Sequence, residues 1–250
     1  MHEKRKPDEN GGARAPLLIR RVALGVRFQP QFRVVDIFGE LVDRILRSSG
    51  SPFGPSVFPL VRSNAMERVL VNEGTNESLH LNSRDAILEM NVDSTDFSDI
   101  ERLAEDYSTY VLQNLRDLAD LAGIERYGVL LKLDECRSEL SQLPVEHYLS
   151  SEFAEARSLH FRFTRRLPCL EARVKRNVDD FRNVIYIVEQ DEDNNVNIRV
   201  DYQEYFRPAL DAADWRNKPY PKFVERGIDY FRGEFADWLR NLQSEPALVQ

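Results

Sequence analysis

Cysteine, histidine and glycine-rich loops are all scarce in this chain of 250 residues. The two cysteines, Cys136 and Cys169, are too few for a disulfide framework, and their spacing matches no zinc signature. They read as reduced structural thiols, as in a cytosolic protein. The four histidines, His2, His80, His147 and His160, are too scattered to suggest a metal site by spacing. Also missing are a Gly-Lys-Ser/Thr phosphate loop, a glycine-rich dinucleotide fingerprint and a Gly-x-Ser-x-Gly elbow. These absences leave no catalytic residue, metal or cofactor to expect, and the reading leans away from an enzyme. No apolar run approaches the roughly 18 residues of a membrane span, and Met1 to Pro16 has no signal-peptide core. The expected location is therefore the cytoplasm, without a membrane partner.

What the chain does contain is an ordinary globular mixture, 42% hydrophobic and 30% charged, with a formal net charge of -8. That charge argues against nonspecific attraction to phosphates but leaves room for a local basic surface. The first 16 residues lack apolar periodicity and read as a disordered tail. A first lobe is expected over 17–123 and a second over 124–250.

In the first lobe, Val22, Leu24, Val26 and Phe28 alternate as one side of a strand. Helical spacing then joins Val34, Phe38, Leu41, Val42 and Ile45. Extended runs follow at 57–62, 67–72 and 78–92, the last broken near Ser83-Arg84-Asp85. Ser98 and Glu101 have capping-box spacing at the head of a long helix, which Gly123 should end in the left-handed conformation.

The second lobe restarts with Gly128-Val129, matching Gly25-Val26, and short helical turns are expected over 137–151. Strands are expected at 156–167, at 170–189 with a division near Asn177 to Asp180, and at 196–206. A polar hairpin turn at Gln190 to Asn195 and a last helix over 221–243 complete it. The fold class is α+β, with two repeated strand-helix-antiparallel-strands-helix lobes forming a curved antiparallel sheet with long helices on one face. Its architecture is similar to the two lobes of a TATA-binding protein, a likeness of layout that confers no function.

The segment Ala122-Gly123-Ile124-Glu125-Arg126-Tyr127-Gly128-Val129 after a long helix, with the Gly-Val strand at the start, resembles a sporadically distributed family of uncharacterised bacterial proteins. The family pattern has Arg and Tyr where Leu130 and Leu131 stand here. The resemblance implies genes carried on mobile elements, including defence and toxin-neutralising loci, and transfers no catalytic residue.

Acidic groups offer little chemistry. Asp191-Glu192-Asp193 lacks the glycine and terminal Glu of an EF-hand loop, and reads as a solvated turn. Asp211, Asp214 and Trp215 ahead of Pro219-Tyr220-Pro221 suggest a docking loop lining a cleft.

Strand alternation gives a sharper expectation. It sends Arg21, Arg27, Lys132, His160, Arg162, Arg173, Lys175 and Arg199 to the face opposite the core, against mainly Glu171 and Asp201. This basic face is the candidate binding surface, with plain solvation as the competing reading. The implied function is a noncatalytic binding or regulatory protein whose partner is another protein or a second copy of itself. A nucleic acid on the basic face and an enzyme with a cleft site between lobes are the alternatives.

Overall fold

The computed structural model describes residues 18–64, 66–121, 123–134, 159–171, 173, 177–190 and 196–243. The expectations for the tail at 1–16, the helical turns at 137–151 and the acidic turn, together with Cys136 and Lys175, fall outside these residues.

Nine strands form one antiparallel sheet: β1 (Leu18–Phe28), β2 (Leu60–Ser63), β3 (Glu67–Asn72), β4 (Glu77–Asn82), β5 (Asp85–Ser94), β6 (Ile124–Asp134), β7 (Leu159–Pro168), β8 (Phe181–Gln190) and β9 (Val196–Leu210). Their spatial order is β2-β3-β4-β5-β1-β6-β9-β8-β7. The two strands that open the halves of the chain, β1 and β6, are therefore neighbours at its middle. There Gly25 lies directly opposite Gly128, and the register runs evenly away from that pair through Leu24 with Val129 and Val26 with Tyr127.

Period-2 alternation explains which side each strand buries. On β1, Ile19, Val22, Leu24, Val26 and Phe28 are buried, and an irregularity between Ile19 and Arg21 sets the phase of the side chains. On β6, Tyr127, Val129, Leu131 and Leu133 join them, as do Ile198, Val200, Tyr202 and Phe206 of β9.

Helices supply the other wall of this core. After β1 come α1 (Arg33–Asp36) and α2 (Phe38–Arg47), which contribute Val34, Phe38, Leu41 and Ile45. After β5, α3 (Ser98–Asp106) continues through a π-helical turn at Tyr107–Leu112 into α4 (Gln113–Ala119). After β9, α5 (Ala212–Asn217) leads to α6 (Tyr220–Tyr230), a second π-helical turn at Phe231–Phe235, and α7 (Ala236–Gln243). The rings of Tyr107 and Tyr220 meet edge to face at 5.3 Å, so the two long helical segments touch over the same side of the sheet. None of the described helices is long and apolar enough to cross a membrane.

Tyr220 reaches the middle of the sheet. Its hydroxyl accepts from the Gly25 amide at 3.1 Å and donates to the Gly128 carbonyl at 2.7 Å. Nearby, Gly227 lets α6 approach closely, because a Cβ there would lie 3.0 Å from Val129 Cγ1 and 3.3 Å from the Tyr202 ring.

Three local expectations are corrected. Ser98 is not the cap of α3: Phe97 holds that position, and the Asp96 carboxylate accepts from the Ser98 amide at 2.9 Å, so an acid two residues earlier displaces the capping box. The left-handed residue after α4 is Asp120, with φ of 53°, while Gly123, φ 71°, makes its turn later at the entrance to β6. The segment beginning at Asp211, expected as loop, contains α5, because the Asp211 side chain accepts from the amides of Ala213 and Asp214.

Candidate binding surface

Alternation on adjacent strands assembles a second face of the sheet, opposite the helices. Register aligns its side chains in rows across the strands. One row runs Arg21, Lys132, Arg199, Ile187 and Arg162, and another runs Arg27, Arg126, Tyr205 and Phe181. Arg21 and Arg27 are six residues apart along β1, so the two rows are separated by about 20 Å. Ala23, Gly25, Gly128, Leu130, Asp201 and Gln203 lie between them.

The second row is held as a stack. The Phe181 and Tyr205 rings are parallel within 7° at 4.8 Å. Arg126 lies 5.7 Å from the Tyr205 ring centroid, and Arg166 lies 3.8 Å from that of Phe181, with Arg207 at 5.0 Å. Such cation–ring contacts fix guanidinium groups in place, and Arg166 is also paired with Asp179 at 3.6 Å. Beside this stack the surface dips into a cleft of about 410 Å³ that Arg27, Gln29, Tyr205 and Arg207 help to line.

Charge on the face is partly compensated. Arg27 makes a two-pronged contact with Asp85 at 2.8 and 3.2 Å, and this hydrogen bonding raises its pKa further. Arg21 pairs with Glu89 at 2.6 Å, and Arg199 and His160 share Glu189. Arg126, Lys132, Arg162 and Arg207 form no salt bridge among the described residues. Asp201, between the rows, has its pKa raised to about 6, mainly by burial, with Arg126, Gln203 and Arg162 opposing the shift. A chain of hydrogen bonds runs toward it: Tyr205 donates to Gln203 at 2.7 Å, and Gln203 to Asp201.

The sequence-predicted residues thus divide. Arg21, Arg27, Lys132, His160, Arg162 and Arg199 share this face. Arg173 does not, which corrects its expected position: β8 begins only at Phe181, and Arg173 belongs to the preceding loop. Its side chain is 5% exposed, bonded to both Asp180 oxygens at 2.8 and 2.7 Å and to Asp214 at 3.1 Å. It ties that loop to α5 and has no role on the face.

Sequence reasoning missed Arg126, Arg166 and Arg207. Arg126 was detectable, since it alternates with the core residue Tyr127, whereas only the fold brings Arg166 and Arg207 to Phe181.

A second polar group lies on the helix side. Glu204, 1% exposed, accepts from Arg226 at 2.9 Å and lies 3.4 Å from the Lys218 ammonium. The Cys169 thiol donates to the same carboxylate. Burial, then the Glu204 charge, pushes that thiol to about 11, so it stays protonated at neutral pH and is a poor nucleophile. Burial pulls the Arg226 pKa down, but Glu204 more than restores it. The arrangement ties α6 to β9 through a satisfied ion pair. Among the described residues no cluster of three or more His, Cys, Asp or Glu could hold a metal ion.

No model of a known protein family matches the chain, and no curated protein matches it. Among solved structures, Methanococcus jannaschii TBP aligns over 87% of this chain and 99% of its own, at 11% identity and a TM-score of 0.27. A likeness that distant carries nothing over to this chain.

Proposed function

We propose that this chain is a noncatalytic binding protein that docks an acidic protein partner on the open face of its sheet. The observation that carries the reading is the pair of basic rows flanking the opposed glycines Gly25 and Gly128, on a chain whose net charge is -8. Among the described residues, a Cβ at Gly25 or Gly128 would meet nothing nearer than 3.7 and 4.0 Å, so packing against them does not demand glycine at either place. Close approach of a partner's backbone does. The interspersed carboxylates Glu89, Glu189 and Asp201 suit a protein, which presents both signs of charge, better than a uniform phosphate chain. A regulatory or neutralising role in a mobile-element defence pair is the setting that the family resemblance suggests.

The two halves are, in this proposal, a structural repeat. Each has an opening strand with a central glycine, antiparallel strands and a long helical segment containing a π-helical turn. The pairing of Gly25 with Gly128 is where an approximate twofold axis would pass.

A nucleic acid is the second reading, favoured by the stack of Arg126, Tyr205, Phe181 and Arg166, since rigid guanidinium groups suit phosphates. Fluorescence anisotropy with a labelled polyglutamate peptide and a labelled single-stranded oligonucleotide tests both. Saturable binding of the peptide, weakened by Arg126→Ser with Lys132→Ser, supports the first reading. Tighter binding of the oligonucleotide moves the assignment to the second, and binding of neither contradicts both.

A further inference from the structure

The sheet face leaves one feature of the helix side unused. A cleft of about 580 Å³ separates α4 from α5, and its lining includes Ser108, Gln113, Arg116, Trp215, Arg216 and Tyr220. Its volume is in the range of small-ligand sites, roughly 300 to 1,000 Å³. The two walls come from opposite halves of the chain and meet where the Arg116 guanidinium lies 5.9 Å from the Trp215 ring centroid.

The lining has a definite chemistry. Trp215 supplies a flat aromatic wall that is only partly buried against the core. Two guanidinium groups, Arg116 and Arg216, stand against a single carboxylate, Asp120. Arg116 has a neighbour in Asp117 at 3.1 Å, but Arg216 forms no salt bridge among the described residues, holding only the Ala212 carbonyl at 3.4 Å. Ser108 and Gln113 add a hydroxyl and an amide that make no side-chain hydrogen bond among the described residues. The Tyr220 hydroxyl is already committed to Gly25 and Gly128, so it closes the floor and offers the cleft only its ring.

An aromatic wall, two cations from different elements and neutral hydrogen-bonding groups complement a planar heterocycle carrying an anionic group. We propose that this cleft binds a nucleoside monophosphate, its base against Trp215 and its phosphate between Arg116 and Arg216. The donor fork of each arginine suits phosphate oxygens, and the amide and hydroxyl suit the polar edge of a base. The proposal is independent of the sheet face, on the opposite side of the sheet.

The test uses the only two tryptophans, Trp215 and Trp238. In the full chain with Trp238→Phe, emission reports Trp215 alone. AMP, GMP, CMP and UMP are titrated in turn, with adenosine and inorganic phosphate as the arms that lack one half of the ligand. The expected result is saturable quenching by at least one monophosphate, with adenosine and phosphate each weaker by about tenfold or more. That ligand should also raise the melting temperature, because it binds the folded state. Arg216→Gln and Ala212→Phe, the second of which fills the cleft, should each lose about tenfold or more in affinity while keeping the unliganded melting temperature. If an Arg216→Gln chain does not fold, Ala212→Phe decides alone. Absence of saturable quenching by all four monophosphates overturns the proposal, as does unchanged affinity in the filled cleft.

Discussion

The hydroxyl of Tyr220 donates to the carbonyl of Gly128 at 2.7 Å, while also accepting from the amide of Gly25 opposite it. A side chain from α6 thereby satisfies two backbone groups at the central pair of the sheet. Burial raises the phenol's pKa well above its ordinary value, so it remains a donor at any ordinary pH.

Tyr220→Phe keeps the ring and removes both bonds. The Gly25 amide and Gly128 carbonyl would then lose a partner in the core, at a cost of about 1–3 kcal/mol. Urea denaturation should show a lower midpoint with an unchanged slope. An unchanged midpoint would mean that the hydroxyl contributes nothing to holding α6 on the sheet.

Glu204→Gln removes the charge shared by Arg226 and Lys218. Those two cations stay largely buried, with side chains 15% and 8% exposed; Lys218 loses its carboxylate partner, and Arg226 keeps only the exposed Glu171 at 3.4 Å. Breaking a buried pair from one side costs about 3–5 kcal/mol. Stability should fall by that order, and the double change Glu204→Gln with Arg226→Met should recover part of the loss. A single variant as stable as the parent protein would refute the account of this cluster.

Asp201 predicts a dependence on pH. Its folded pKa of about 6 lies above the ordinary 3.8, so between those values the native protein holds more protons than the unfolded chain. Its contribution is fully present below the lower value and is lost as pH rises through the upper one. Asp201→Asn should therefore flatten the decline in urea midpoint over that window. The charge facing Arg126 and Arg162 also disappears on acidification, so an acidic probe should bind more tightly below about pH 6. Identical pH profiles for the two proteins would contradict this.

The fold was legible where one physical signal dominated. Alternation in Val22, Leu24, Val26 and Phe28, and the helical stripe of Val34, Phe38, Leu41 and Ile45, appear in the structure as buried faces. The basic face was readable for the same reason at Arg21, Arg27, Lys132, His160, Arg162 and Arg199. Arg173 defeated that logic because alternation has meaning only inside a strand, and a charged partner in Asp180 made burial of its guanidinium affordable. The stack around Phe181, the Glu204 ion pair and the cleft at Trp215 join residues far apart in the chain. No spacing rule anticipates such pairs, although Trp215 was already marked as lining a cleft.

The basic rows are the centre of the account, and salt dependence of binding tests them most directly. Arg126, Lys132, Arg162 and Arg207 lack salt bridges among the described residues, but Arg126 and Lys132 are half-buried, and Arg126 and Arg207 contact the Tyr205 and Phe181 rings. Ser at all four should therefore lower the melting temperature modestly without unfolding the chain, the exposed changes at Arg162 and Arg207 being worth within about 0.5 kcal/mol each. Affinity for the labelled polyglutamate peptide is measured against salt concentration for both proteins. The parent protein should show a steep loss of binding with salt, and the fourfold variant weaker binding with a flatter slope. Equal affinity and equal slope in a folded variant would contradict a docking role for this face.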